Sequence, residues 1–122
     1  DTSVFVAWES GRLIDGARVP AQLAVSVVTI GELRAGVLAA TGSRDRAERL
    51  DSLNSAAQLG PLPIDLAVAE AWADLRGRLR DVGRRMPVND SWIAATAIAH
   101  RIPVVTQDDD YLDVPGLDVI RV

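Results

Sequence analysis

Short apolar runs that are typical of buried strands alternate along this chain with stretches whose apolar residues repeat at helical spacing. Strands are predicted at 23–28, 63–64, 102–105 and 117–122, and helices at 4–8, after 28, and at 43–59, 66–82 and 91–100. Strands that alternate with helices pair in parallel and are covered by helices on both faces. The chain is therefore predicted to form a three-layer α/β/α sandwich around a mainly parallel sheet, as a single domain over residues 1–122.

Four acidic residues fall where this predicted sheet would bring side chains together: Asp1, Glu32, Asp90 and Asp108. Ligands of such sheets bind outside the carboxyl ends of the strands. Carboxylates that converge there repel one another by roughly 4 kcal/mol per pair at about 4 Å and an effective dielectric of about 20. A divalent cation relieves this repulsion, and hard carboxylate oxygens favour Mg²⁺ or Mn²⁺.

The three Asp residues also have ordinary structural interpretations. Asp1 and Asp90 could be helix N-caps, and the acids at 108–110 could be turn residues. These interpretations do not explain why four acids share one edge, or why Glu32 has no Arg three or four residues away to pair with. Asp110 is close enough in sequence to compete with Asp108 for the fourth place.

The composition narrows the possible chemistry. The chain has no Cys, which excludes disulfides and thiolate metal sites, and His100 is its one histidine. All 13 basic residues are Arg, so no mechanism that needs a Lys is available. The net charge of −4 argues against a protein that coats nucleic acid by its overall charge. His100 is predicted to be a charge at a helix C-terminus rather than a catalyst.

Two groups of large side chains, the tryptophans and a row of arginines, each keep two interpretations. Trp8, Trp72 and Trp92 lie on apolar stripes, so packing is favoured over base stacking. The row of Arg76, Arg80 and Arg84 is either a solvated face, partly neutralised by the pairs Asp74/Arg78 and Asp81/Arg85, or a surface for RNA or a partner.

Four motifs, in this order and at these separations, resemble the PIN domain, and most closely the VapC-like toxins of bacterial toxin-antitoxin pairs. They are Asp1-Thr2-Ser3, the segment 26–36, Asn89-Asp90 with 93–97, and the segment 104–108. The resemblance implies a Mg²⁺- or Mn²⁺-dependent endoribonuclease, usually a homodimer, held inactive by a cognate VapB-like antitoxin. By the same resemblance, the metal-binding acids are Asp1, Glu32, Asp90 and Asp108, and Thr2 and Thr106 are polar neighbours of the site.

Family chains carry a short strand just before the first Asp, so the resemblance also predicts a strand ahead of Asp1 that this sequence lacks. Two other functions stay open: a non-catalytic PIN-like module that only binds partners, and a PIN nuclease of RNA processing. Receiver domains need a Lys, and phosphatases of the haloacid-dehalogenase type need an Asp where Ser3 stands. No membrane span or leader is evident, which makes the cytoplasm the expected location.

Overall fold

A computed structural model describes residues 1–122. The helices are α1 (Thr2–Glu9), α2 (Val27–Ala39), α3 (Ser43–Ala57), α4 (Leu66–Asp81) and α5 (Val88–His100), and the strands are β1 (Val104–Thr106) and β2 (Val119–Arg121). Short 3₁₀ turns cover Gly16–Arg18 and Asp109–Tyr111. No helix combines the length and the apolar character needed to cross a membrane.

The strands pair in parallel, as predicted. Val104 lies opposite Val119 and Thr106 opposite Arg121. A separate parallel bridge joins Ser26 to Leu62. The predicted α/β fold with parallel pairing is therefore confirmed, although its strands are shorter than the apolar runs suggested.

The strands predicted at 23–28 and 63–64 are wrong, because this part of the chain forms only a single bridge. Helix α2 begins at Val27, and the Ser26 side chain caps it by accepting a hydrogen bond of 3.2 Å from the Val28 amide. Because this cap turns the chain into a helix, only Ser26 is left to pair, and its partner is Leu62.

Of the two helix caps predicted at the site, Asp90 is wrong and Asp1 is confirmed in position only. Helix α5 begins at Val88, so Asp90 lies inside its first turn and not at the N-cap. A carboxylate there interacts favourably with the helix dipole. Asp1 occupies the N-cap position of α1 but its side chain makes no capping hydrogen bond, and Thr2 and Ser3 lie inside the helix. The side chains of Thr2 and Ser3 are used for contacts to acids instead.

Two hydrophobic clusters form the core. One joins α4, α5 and β1 through residues such as Leu75, Ile93 and Val104, and the other joins α1, α2 and α3 around Phe5 and Leu33. Small residues in α5, with Ala94 and Ala95 fully buried, let this helix pack closely on its neighbours.

An apolar cavity of about 390 Å³ lies beside β1, and residues of both hydrophobic clusters line it. Val104 and Val105 border it on one side, and Ser26 and Leu62 on another. Asp1 also lines this cavity, so the first residue of the chain stands at its edge.

Candidate metal centre

A second, polar cavity of about 540 Å³ is lined by all four predicted acids: Asp1, Glu32, Asp90 and Asp108. They come from four places in the chain, namely the start of α1, the middle of α2, the first turn of α5 and the segment after β1. The fold therefore brings together the acids that the sequence placed at one edge.

Within this region, one group of carboxylates is especially close. Asp90, Asp108 and Asp110 each offer an oxygen within 4.8 Å of the others. Asp109 also lines the polar cavity, but its carboxylate pairs with Arg121 at 2.9 Å. Asp108 belongs both to the close group and to the cavity lining, whereas Asp110 belongs only to the close group.

A chain of hydroxyl groups holds Asp1. The Ser3 hydroxyl donates to Asp1 Oδ1 at 2.7 Å and accepts from the Gln107 backbone amide at 2.9 Å. Since its single proton is used on Asp1, the Thr106 hydroxyl, 3.3 Å away, must donate to Ser3. Thr106 in turn accepts from the Asp108 amide at 2.8 Å. The buried Thr106 thus connects the backbone of one predicted acid to the carboxylate of another.

Both oxygens of Glu32 are hydrogen-bonded. The Thr2 hydroxyl donates to Oε2, and the Asn89 side-chain amide donates to Oε1 at 2.9 Å. The hydroxyl oxygens of Thr2 and Thr29 are 3.2 Å apart, so α1 and α2 are joined at the same point. These contacts fix the orientation of the carboxylate without neutralising its charge.

Asp90 is the acid whose titration is most affected by the fold. Burial raises the pKa of its carboxyl, the hydrogen bond from Tyr111 opposes that rise, and the charges of Asp108, Glu32 and Asp110 add to it. The fully buried Tyr111 hydroxyl donates to Asp90 Oδ1 at 3.1 Å. Burial first, and then the Asp90 charge, raises the pKa of Tyr111, so this hydroxyl stays protonated and remains a donor.

Arg12 is the one basic residue that lines the polar cavity. Its Nε donates to Ser10 Oγ at 3.2 Å, and no carboxylate lies within ion-pair distance of it. The acids are therefore not neutralised by cationic side chains. A set of several carboxylate oxygens with room for water is the kind of site that Mg²⁺ and Mn²⁺ occupy.

Four site residues were not predicted to take part: Ser3, Asn89, Tyr111 and Arg12. Ser3 and Asn89 adjoin predicted site residues in the motifs, which was an available signal. Tyr111 carried no such signal, because a tyrosine that follows a run of acids is equally typical of ordinary core packing. The predicted row of Arg76, Arg80 and Arg84 begins on α4 and ends in the turn after it. There Arg84 donates to the Asp110 carbonyl oxygen at 3.0 Å.

Comparison with known proteins agrees with this geometry. The PIN domain family matches residues 1–117. The chain belongs to the PIN-domain family. Within that family it is similar to ribonuclease VapC5 of Mycobacterium tuberculosis, at 50% identity over 125 aligned residues that cover 100% of this chain and 93% of the relative. Ribonuclease VapC4 of the same species is 49% identical over 122 residues, which cover 100% of this chain and 94% of that relative.

A solved structure shows the same fold. The crystal structure of VapBC-5 from M. tuberculosis, a member of the VapBC family of toxin-antitoxin systems, matches with a TM-score of 0.91 and 47% identity. The match covers 100% of this chain and 95% of that chain. The predicted resemblance to PIN domains of the VapC type is therefore confirmed.

Proposed function

We propose that this protein is a metal-dependent endoribonuclease that acts as the toxin of a toxin-antitoxin pair. The observation that carries the proposal is the convergence of Asp1, Glu32, Asp90 and Asp108 on one cavity where Arg12 is the one basic residue in the lining. The names of the VapC ribonucleases, at 50% and 49% identity over the whole chain, support the same activity.

Mg²⁺ or Mn²⁺ is the proposed cofactor, held by Asp1, Glu32, Asp90 and Asp108, with Asp110 as a further candidate for the fourth place. The oxygen-only donor set and the close approach of Asp90, Asp108 and Asp110 support this choice. Such an ion, when bound, supplies an activated water and stabilises charge on the phosphodiester oxygens.

The remaining work falls to the chain's own side chains. Tyr111 orients Asp90, Thr2 and Asn89 orient Glu32, and Ser3 orients Asp1. The hydroxyl protons of Thr2 and Ser3 already point to carboxylates, so neither hydroxyl is arranged as an attacking group. Water is therefore the nucleophile we propose for the cleavage of RNA, with the protein acting through position and charge.

A cognate VapB-like antitoxin is the proposed protein partner, because the matching VapBC-5 structure is described as a toxin-antitoxin system. A homodimer and a cytoplasmic location belong to the same proposal. Exposed apolar side chains such as Trp8, Leu38 and Leu66 offer area for protein contacts.

The decisive experiment is a cleavage assay on mixed single-stranded RNA with purified protein in Mg²⁺, in Mn²⁺ and in EDTA. We expect endonucleolytic products with either metal and none with EDTA, and we expect Asp90→Asn to be inactive. Asp51→Asn, a change at an exposed acid of α3, is the matched control and should retain activity.

Three results would each count against the proposal. Equal cleavage in EDTA by protein shown to be free of metal would exclude a metal-dependent reaction. Absence of cleavage by a folded protein that binds Mn²⁺ would favour the non-catalytic partner-binding alternative. Cleavage confined to one precursor RNA would favour a nuclease of RNA processing over a toxin.

A further inference from the structure

Arginine side chains are concentrated on the C-terminal half of α4 and the turn that follows it. Arg76, Arg80 and Arg84 are spaced by four residues, which is about one helical turn of 5.4 Å, so the first two share one side of the helix. Arg76 and Arg80 are exposed, and Arg84 is half-buried. These three residues are called the arginine row below.

The arginine row is not neutralised by neighbouring acids. The ion pairs of the protein are Arg44–Glu48 and Arg121–Asp109, so no residue of the arginine row has a carboxylate within ion-pair distance. The predicted neighbouring pairs Asp74/Arg78 and Asp81/Arg85 do not form either. A row of guanidinium groups without carboxylate partners is free to bind an external anion. This charge stands out in a chain whose net charge is −4.

Both ends of the arginine row are held in place by the fold. The Arg76 guanidinium lies over the Trp72 ring, with Cζ 5.2 Å from the centroid, and Trp72 stacks on Trp92 at 4.4 Å. Trp72 Nε1 also donates to the buried Ser91 hydroxyl at 2.9 Å. At the other end, Arg84 donates to the Asp110 carbonyl oxygen.

The contact of Arg84 joins the arginine row to the acid centre, by which we mean the polar cavity of Asp1, Glu32, Asp90 and Asp108 together with the neighbouring Asp110. Asp110 has a carboxylate oxygen within 4.8 Å of those of Asp90 and Asp108. An extended anion that follows the row toward Arg84 therefore arrives beside the three acids. A polymer with a phosphate at every unit fits this arrangement, because planar guanidinium groups pair well with phosphate oxygens.

We propose that the arginine row binds successive phosphates of single-stranded RNA and directs the strand toward the acid centre. This inference rests on the proposed ribonuclease function, since it names the path by which that substrate enters. Continuity with the acids favours RNA over an acidic protein segment as the occupant. The row acts through the sugar-phosphate backbone, so it contributes affinity without sequence preference.

Binding of single-stranded RNA in EDTA tests the arginine row separately from cleavage. Fluorescence anisotropy would be measured with a mixed-sequence RNA at several NaCl concentrations. The row variant carries Arg76→Gln, Arg80→Gln and Arg84→Gln. The control variant carries the same loss of charge at exposed residues of other elements: Arg18→Gln, Arg34→Gln and Arg44→Gln. Circular dichroism of both variants checks that the fold is kept.

The salt dependence gives the expected result. Each phosphate contact in a single strand contributes about 0.7 to the slope of log affinity against log salt, so three contacts account for about 2. We expect the row variant to lose about 2 from the slope and the control variant to keep the wild-type slope. A row variant with unchanged slope, or equal losses in both variants, would overturn the proposal.

Cleavage measured in parallel separates this inference from the proposed function. A row variant whose cleavage rate falls more on a long RNA than on a short RNA supports the arginine row as a substrate path, and equal losses on both RNAs contradict it. If the row variant shows the expected loss of slope but even wild-type protein never cleaves RNA with Mg²⁺ or Mn²⁺, the arginine row stands as an RNA-binding surface and the proposed nuclease activity falls.

Discussion

The Tyr111 hydroxyl donates a hydrogen bond of 3.1 Å to Asp90 Oδ1 from a position with no solvent exposure. This contact orients a half-buried member of the close acid group while leaving its second oxygen available. Partners that orient a metal ligand typically change metal affinity by about 10- to 100-fold when they are removed. Tyr111 is therefore expected to be a positioning residue for Asp90.

Tyr111→Phe is expected to weaken Mn²⁺ binding by about 10- to 100-fold. The ring still fills its site, so thermal unfolding should show a folded protein. Calorimetric titration with Mn²⁺ measures the effect, and the double variant with Asp90→Asn provides the control. If the Phe change weakened Mn²⁺ binding as much in the Asp90→Asn background as in wild type, Tyr111 would not be acting through Asp90.

The raised pKa of Asp90 predicts how the stability of the metal-free protein depends on pH. A carboxyl with a raised folded pKa contributes favourably below its unfolded value of 3.8, and this contribution is lost as pH rises through the folded pKa. At neutral pH the ionised Asp90 therefore opposes folding. Asp90→Asn should be more stable than wild type at about pH 7 in EDTA, with a difference that shrinks as pH falls toward 3.8.

Urea unfolding at a series of pH values measures this difference. Asp51→Asn, at an exposed position of α3, removes an equal charge outside the site and serves as the control. A stability gain of the same size and pH dependence in both variants would show that general charge reduction, rather than the burial of Asp90, is responsible.

Glu32→Gln tests whether bound metal stabilises the folded state through this centre. Metal at about 100 times its dissociation constant raises the free energy of unfolding by about 2.7 kcal/mol. We expect Mn²⁺ to raise the Tm of wild type and to raise that of Glu32→Gln much less. The side-chain amide that replaces the carboxylate can still accept a hydrogen bond from Thr2, so the fold should persist.

The matched control is Glu70→Gln, which changes an exposed Glu of α4. It should show the full wild-type shift in Tm. Equal shifts in wild type and in Glu32→Gln would place the stabilising Mn²⁺ outside the acid centre.

The position of the acids could be predicted from sequence because it follows from topology. Glu32 lies on α2, which begins beside the Ser26–Leu62 bridge, Asp90 lies in the first turn of α5, and Asp108 lies two residues after β1. Strand limits were harder to predict, because β1 and β2 have only three residues each and leave little pattern in the sequence. The run at 23–28 was assigned wrongly because the Ser26 side chain caps a helix there. Valine-rich sequence after Ser26 suits a buried helix as well as a strand, so its period did not decide between them.

The contacts that orient the acids could not be predicted. Asn89 reaches Glu32 across 57 residues of sequence, and Ser3 reaches the Gln107 amide across 104. Such pairs depend on how helices are rotated and packed, which the periodicity of a single sequence does not determine. Tyr111 shows the same limit, because its side chain is buried among residues of α5 and β1 rather than beside its own neighbours in sequence.

The apolar cavity predicts that a strand added ahead of Asp1 would stabilise the protein. The Asp1 nitrogen already donates to the Val105 carbonyl oxygen at 2.7 Å, on the edge of β1 away from β2. Preceding residues would enter a cavity of about 390 Å³ with mostly hydrophobic lining. Buried apolar area contributes about 25 cal/mol per Å². A fused valine-rich strand should therefore raise the Tm.

A glycine-serine extension of equal length is the control for this fusion. Both extensions place the same number of residues ahead of Asp1, so the difference between them reports filling of the cavity. Equal Tm values for the two would mean that the cavity does not accept an added strand.

The uncompensated acids also predict how the proposed antitoxin inhibits. An antitoxin Arg placed over Asp90 and Asp108 would make paired hydrogen bonds to carboxylates and replace the charge of the metal without supplying a water. Antitoxin and metal should then compete for the centre. Titration of the purified complex with MgCl₂ should release antitoxin more strongly than NaCl of equal ionic strength. If both salts weaken the complex equally, general screening accounts for the effect and antitoxin does not occupy the metal centre.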